Sequence, residues 1–285
     1  SKSLSLSLTH THTHSHTLHT HTHTIYISHI SLSHTHTHIH THIHHKQTQL
    51  SESDLNALKE LETKINWLST YMIHHANNLR PKRDGLKVGG HQASSASLVT
   101  VLTALYTKVL RPQDRVAVKP HASPAFHAIQ YLFENQTLEQ LEKFRSLGGI
   151  QSYPSRTKDQ CEVDLSTGSV GLGATMATFL AHVEAFLRGK DLNPPAFPGT
   201  SEPPELSART IGIVGDAELD EGTVFEGLLE SWKLDIRNNW YIVDYNRQSL
   251  DKIMEENSFR LIDRLFRMNG FDVVSVKYVR DYTFF

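Results

Sequence analysis

Two short apolar runs, TIGIVGD ending at Asp216 and WYIVDYN ending at Asn246, flank a helical stretch from Thr223 to Leu234. That order is a strand–helix–strand unit, which closes as two parallel strands joined by a right-handed crossover. Parallel sheets of this kind carry helices on both faces, and their ligands bind beyond the carboxyl ends of the strands. The expected fold class is therefore α/β, a parallel sheet flanked by helices on both faces.

The rest of the chain after residue 50 fits that plan. Leu55, Leu58, Leu61, Ile65, Leu68 and Met72 recur at helical spacing behind a possible capping box, Ser51 with Asp54, predicting one amphipathic helix that reaches about Asn78. Helices are expected at Ser94–Val109, Ala125–Glu134, Leu138–Arg145 and Ala174–Arg188, with strands at Arg115–Val118, Ile211–Val214, Tyr241–Tyr245 and Phe271–Val276. The proline-rich run NPPAFPGTSEPPE can only be a surface loop. The segments expected are a low-complexity tract over 1–47, a helical entry over 48–80 and an α/β domain over 81–285.

Lys2 and Lys46 are the only charges before Glu52, which leaves 26 basic side chains against 30 acidic ones after it. That balance gives no footprint for nucleic acid. Cys161 stands alone, so an internal disulfide framework and a cysteine-based zinc ribbon are both excluded. No apolar run is long enough to span a bilayer.

The first 45 residues alternate Ser-Leu and then His-Thr, and hold 15 of the 21 histidines. Too few large apolar side chains stand there to offset the entropy of ordering, so the tract is expected to be disordered. Translated TC and CA dinucleotide repeats would write this sequence without selection. A histidine-rich tract that ligates zinc, nickel or copper is the functional alternative. The tract lacks the basic start and apolar centre of a secretion signal, and no Arg-rich, Ser-rich presequence points to a mitochondrion, so a cytoplasmic location is expected.

Asp216 and Asn246 stand at the ends of successive parallel strands, where both side chains can converge on one edge of the sheet. A carboxylate, an amide oxygen and one or two backbone carbonyls suit a small hard cation such as Mg2+, which prefers phosphate oxygens among its ligands. The turn Ser166-Thr-Gly-Ser-Val-Gly-Leu-Gly173 precedes a helix, and its amides would favour a phosphate group. Singly, each signal is unspecific: an acid after a strand is as often a helix cap, and the order G-x-x-G-x-G is not the dinucleotide fingerprint.

Jointly these residues carry a resemblance. The stretch GDAELDEGTVFEGLLESWKLDIRNNWYIVDYNRQSLD resembles the thiamine diphosphate motif, Gly-Asp-Gly followed about thirty residues later by Asn. With VGGHQASSAS, KPHASPAFHAIQYL, FRSLGGIQSYPSR and STGSVGLGATMA it is similar to the diphosphate-binding domain of the transketolase superfamily, and most similar to its homodimeric pyruvate dehydrogenase branch. The resemblance implies thiamine diphosphate and Mg2+ as cofactors, with Asp216, Asn246 and the Gln248 backbone carbonyl as metal ligands. Gly168, Ser169, Gly171 and Gly173 would line the diphosphate, and Gly215, Ala217 and Glu218 would flank the metal loop. Ala217 replaces the motif's second glycine, which weakens cofactor binding if that position needs a positive φ or a close approach. His91 and His121 match catalytic histidines near the substrate. Glu221 matches an acidic residue near the subunit interface, or is a solvated carboxylate at a helix start, whereas His127 has no match and is expected to be structural.

The activity implied is decarboxylation of a 2-oxo acid, pyruvate above all, with transketolase-type ketol transfer and a non-catalytic gene product as alternatives. The implied partners are a second copy of the chain, a second domain that supplies the activating glutamate, and the lipoyl acyltransferase of a multienzyme complex. The family likeness fades at VRDYTFF, and the chain by itself is expected to turn over nothing measurable. The face meeting the further domain is expected to be apolar.

Overall fold

The computed structural model describes residues 24–30, 50–82, 84–190, 192, 208–247 and 258–277. The proline-rich loop, Gln248 and VRDYTFF lie outside the described residues.

Helix α1 (Glu52–His74) starts on the anticipated capping box, with the Ser51 hydroxyl accepting from the Asp54 amide and the Asp54 carboxylate accepting from the Ser51 amide. It ends four residues early and widens into a π-helical turn, His75–Leu79. The helix expected over Ser94–Val109 is broken into α2 (Gln92–Ala96), α3 (Val99–Ala104) and a π-helical turn at Leu105–Val109. The break falls at Ser97, whose hydroxyl bonds the Ser94 carbonyl and the Asp244 carboxylate, competing with the helical ladder. Then follow β2 (Arg115–Ala117), α4 (Ser123–Leu132), α5 (Leu138–Glu142), α6 (Leu172–Gly189), β3 (Thr210–Gly215), α7 (Gly222–Lys233) and β4 (Asn239–Tyr245). An amphipathic helix that the sequence reading did not mark, α8 (Ser258–Met268), leads into β5 (Phe271–Lys277).

Strands β2, β3 and β4 are adjacent and parallel, with Gly212 opposite Tyr241 and Gly215 opposite Asp244. The side-chain alternation sends Ile211, Ile213 and Ile242 to one face, into a core with Met72 of α1, Leu102 of α3 and Ile129 of α4. Val214, Tyr241 and Val243 go to the other face, against Leu228 of α7 and Ile262 and Phe266 of α8. Gly212 lets α6 lie close: a Cβ there would stand 3.4 Å from the Cβ of Ala177. The helical entry shares the main core, since Ile65, Leu68 and Met72 pack in one cluster with Ile211 and Ile213.

Within the N-terminal tract, Thr24–Ile30 forms β1, antiparallel to both β4 and β5, so the order is β2-β3-β4-β1-β5 and an antiparallel strand joins the parallel ones. TIYISHI is where the tract gathers three isoleucines and a tyrosine, residue types that favour strands.

The outer side of α6 and α7 is apolar. Phe179, Val183 and Phe186 on α6, and Phe225, Leu229 and Trp232 on α7, are all exposed at helical spacing.

Candidate active site at the sheet edge

Asp216 and Asn246 directly follow the adjacent parallel strands β3 and β4, at one edge of the sheet. Asp216 follows β3, is only 2% exposed and opens a 3-10 turn, Asp216–Asp220. Its Oδ1 accepts the Ala217 amide at 3.0 Å and its Oδ2 accepts the Arg247 amide at 2.7 Å. Arg247 follows Asn246 and has φ 62°, a left-handed conformation that turns its N–H toward the neighbouring strand. Burial pushes the Asp216 carboxyl up to about 6, against the opposing hydrogen bond from Arg247. Asn246 is half-buried, and its amide nitrogen lies 3.5 Å from Asp244 Oδ2. Ala217 is not at positive φ, so its methyl group costs no backbone strain in place of glycine. Among the described residues no three His, Cys, Asp or Glu side chains gather around one point.

The glycine turn divides into two parts. Gly168 and Ser169 are exposed, and a Cβ on Gly168 would meet only Tyr153, at 3.9 Å. Gly171 and Gly173 are buried and serve packing. Gly171 has φ 81°, and a Cβ there would fall 2.7 Å from that of Glu221; one on Gly173 would press on Thr167 at 3.0 Å. Buried Glu218 ties this turn to the loop that follows β3: Oε2 accepts the Gly171 amide and Oε1 accepts the Gly215 amide, each at 3.1 Å. Both oxygens are thus spent on backbone, and burial raises the carboxyl above its ordinary value. Glu221 is exposed at the start of α7, beside the Gly171 turn.

His91, at the N-cap of α2, and His121, in the turn Pro120–Ala122, stack with ring centroids 3.9 Å apart. The His121 ring lies 5.8 Å from that of Tyr153, which carries the Arg145 guanidinium 5.8 Å from its centroid. Burial, with the Arg145 and Lys119 charges, holds His91 below its ordinary value. Burial, then His91 and those two cations, pushes His121 down to about 4. Both imidazoles are neutral near pH 7, so each offers one N–H donor and one acceptor. His127 is fully buried beside Gln136 and Cys161 and is pushed down to about 3 by burial, which suits a structural histidine.

Sequence reasoning missed Lys119, Asp244, Arg145 and Tyr153. Asp244, a charged residue inside an apolar strand, was the one visible signal.

Residues 87–283 match the family described as transketolase, thiamine diphosphate binding domain. The chain is 27% identical over 235 residues to the pyruvate dehydrogenase E1 component of Mycobacterium tuberculosis, covering 76% of this chain and 23% of that protein. Against the pyruvate dehydrogenase E1 component of Escherichia coli K12 it is 24% identical over 235 residues, covering 78% and 25%. It therefore spans about a quarter of the length of these curated relatives. In fold it resembles the transketolase of Leishmania mexicana, with TM-score 0.59 and 21% identity over 75% of this chain and 31% of that one. The transketolase of Campylobacter jejuni gives TM-score 0.57 and 22% identity over 75% and 32%. The chain belongs to the family of transketolase-type thiamine diphosphate-binding domains.

Proposed function

We propose that this chain is the diphosphate-binding part of a thiamine diphosphate-dependent enzyme acting on a 2-oxo acid, pyruvate above all, and that it holds the cofactor through Mg2+. The observation that carries this reading is the 2.7 Å bond from the Arg247 amide to the Asp216 carboxylate, which brings the buried acid to the residue after Asn246. The donor set fits the group: a buried carboxylate that burial has made costly to ionise gains from a divalent cation beside it. Asp216, Asn246 and the Gln248 carbonyl would hold Mg2+, and Gly168 and Ser169 would approach the diphosphate.

When bound, thiamine diphosphate supplies a nucleophilic thiazolium carbon and an electron sink for decarboxylation. The tasks of this chain's own residues are placement and proton handling. Glu218 fixes the metal loop against the glycine turn. The neutral His91 and His121 pair donates a hydrogen bond to a substrate oxygen and accepts or returns a proton. The apolar stripe on α6 and α7 supports assembly with a second copy or further polypeptide of the same enzyme. Because the chain spans a quarter of its relatives, turnover is proposed for that assembly and not for this chain alone.

Thermal unfolding of the full chain with Mg2+ and thiamine diphosphate tests the reading. Stabilisation is expected when both are present and not with thiamine diphosphate plus a chelator. No stabilisation under either condition overturns it.

A further inference from the structure

Beneath the site lies a buried ion pair that the reading above does not use. Lys119 is 2% exposed and Asp244 fully buried, and the ammonium stands 2.6 Å from Asp244 Oδ2. The Ser97 hydroxyl donates to the same oxygen, and the Asn246 amide nitrogen faces it at 3.5 Å. Asp244 Oδ1, also buried, has no hydrogen-bond partner among the described residues, so the carboxylate is ordered through one oxygen. A buried pair of this kind adds little net stability, because desolvating both ions cancels most of their attraction. Its placement gives it another use. An ionised carboxylate only accepts hydrogen bonds, so the amide end that faces it is the nitrogen. Asp244 also lies two residues before Asn246 on β4 and opposite Gly215, beside the acid of the metal loop.

We propose that Asp244 and Lys119 are a positioning pair for the cation site: Asp244 turns the amide of Asn246 so that its carbonyl oxygen is the end offered to a divalent ion, and Lys119 neutralises Asp244 and keeps it out of the ion's shell. This rests on the cation site proposed above. The pair acts through Asn246 and is not itself a ligand, in the manner of the outer groups that orient metal-binding side chains.

The test is Mn2+ binding by the full chain, read from the electron paramagnetic resonance signal of free Mn2+ without cofactor or substrate, with circular dichroism to confirm folding. Lys119→Met with Asp244→Leu replaces the pair by apolar side chains and removes the acceptor; Mn2+ affinity is expected to fall roughly ten- to hundredfold. Lys119→Gln with Asp244→Asn keeps an acceptor oxygen for the Asn246 amide and is expected to bind within about threefold of the unmodified chain, by the same orienting argument. Where the apolar pair does not fold, Lys119→Gln with Asp244→Leu takes its place against the amide pair. Equal binding by all of these variants, or equal loss in all of them, overturns the positioning role. An unmodified chain that does not bind Mn2+, or binds it equally after Asp216→Ala, overturns the cation site and the positioning role with it. Binding that needs Asp216 but is indifferent to the pair overturns the positioning role alone.

Discussion

The acid edge and the imidazole edge of the site differ in what holds them. At the acid edge Asp216 and Glu218 are woven into the backbone: Asp216 binds the amides of Ala217 and Arg247, and Glu218 those of Gly171 and Gly215. At the other edge His91 and His121 rest on ring stacking and on the Tyr153–Arg145 layer. Burial disfavours charge at both, raising the acids and lowering the imidazoles. The difference teaches that the acid edge is part of the fold as well as of the site, whereas the imidazole edge can change with little structural cost.

Substitutions separate the two edges. The largest effect is expected from Asp216→Ala, which should remove detectable Mn2+ or Mg2+ binding, whereas His91→Ala and His121→Ala should leave ion affinity within about twofold, as residues outside the metal's shell. Equal losses at both edges in a metal titration would erase the distinction. Next comes Glu218→Ala, which strands two buried amides and should cost roughly 2–4 kcal/mol in denaturant unfolding, with Glu218→Gln recovering part of it. A loss below about 0.5 kcal/mol, the range of ordinary surface substitutions, would show that the clamp does not hold the loops together.

The pH responses have a definite sign. Protons compete with the ion at Asp216, so divalent affinity should be steady above pH 6 and fall as pH drops below it, by at most about tenfold per unit. Titrations at pH 5 and 7 that agree would contradict this. The smallest effect belongs to the imidazole edge. His121 is held at about 4, below its unfolded value of about 6.5, so the fold loses stability as pH falls from about 6.5 toward 4. His121→Gln should lessen that decline in thermal melts, and His127, held at about 3, should keep its own share. An unchanged slope in the variant would mean that His121 is not desolvated as described.

Much of this was legible in the sequence, for physical reasons. The ends of β3, α7 and β4 follow hydrophobic periodicity, and periodicity with a thirty-residue spacing places Asp216 and Asn246 at one edge. Glycine types were visible but their tasks were not: Gly171 and Gly173 make room for Glu221 and Thr167, contacts between residues distant in sequence or set by a turn. The Lys119–Asp244 pair joins residues 125 positions apart and leaves no periodic trace. The backbone-strain part of the concern over Ala217 is answered locally, since the 3-10 turn needs no positive φ there. Strand β1 went unmarked because composition, averaged over the repeat tract, hid the local strand preference of TIYISHI.

Isothermal calorimetry of thiamine diphosphate binding to the full chain, with Mg2+ and then with excess chelator, tests the central claim most directly. Binding that appears only with Mg2+ and disappears in both Asp216→Ala and Asn246→Ala is the predicted result. Equal binding with and without the ion, or in the two variants and the unmodified chain, would contradict it.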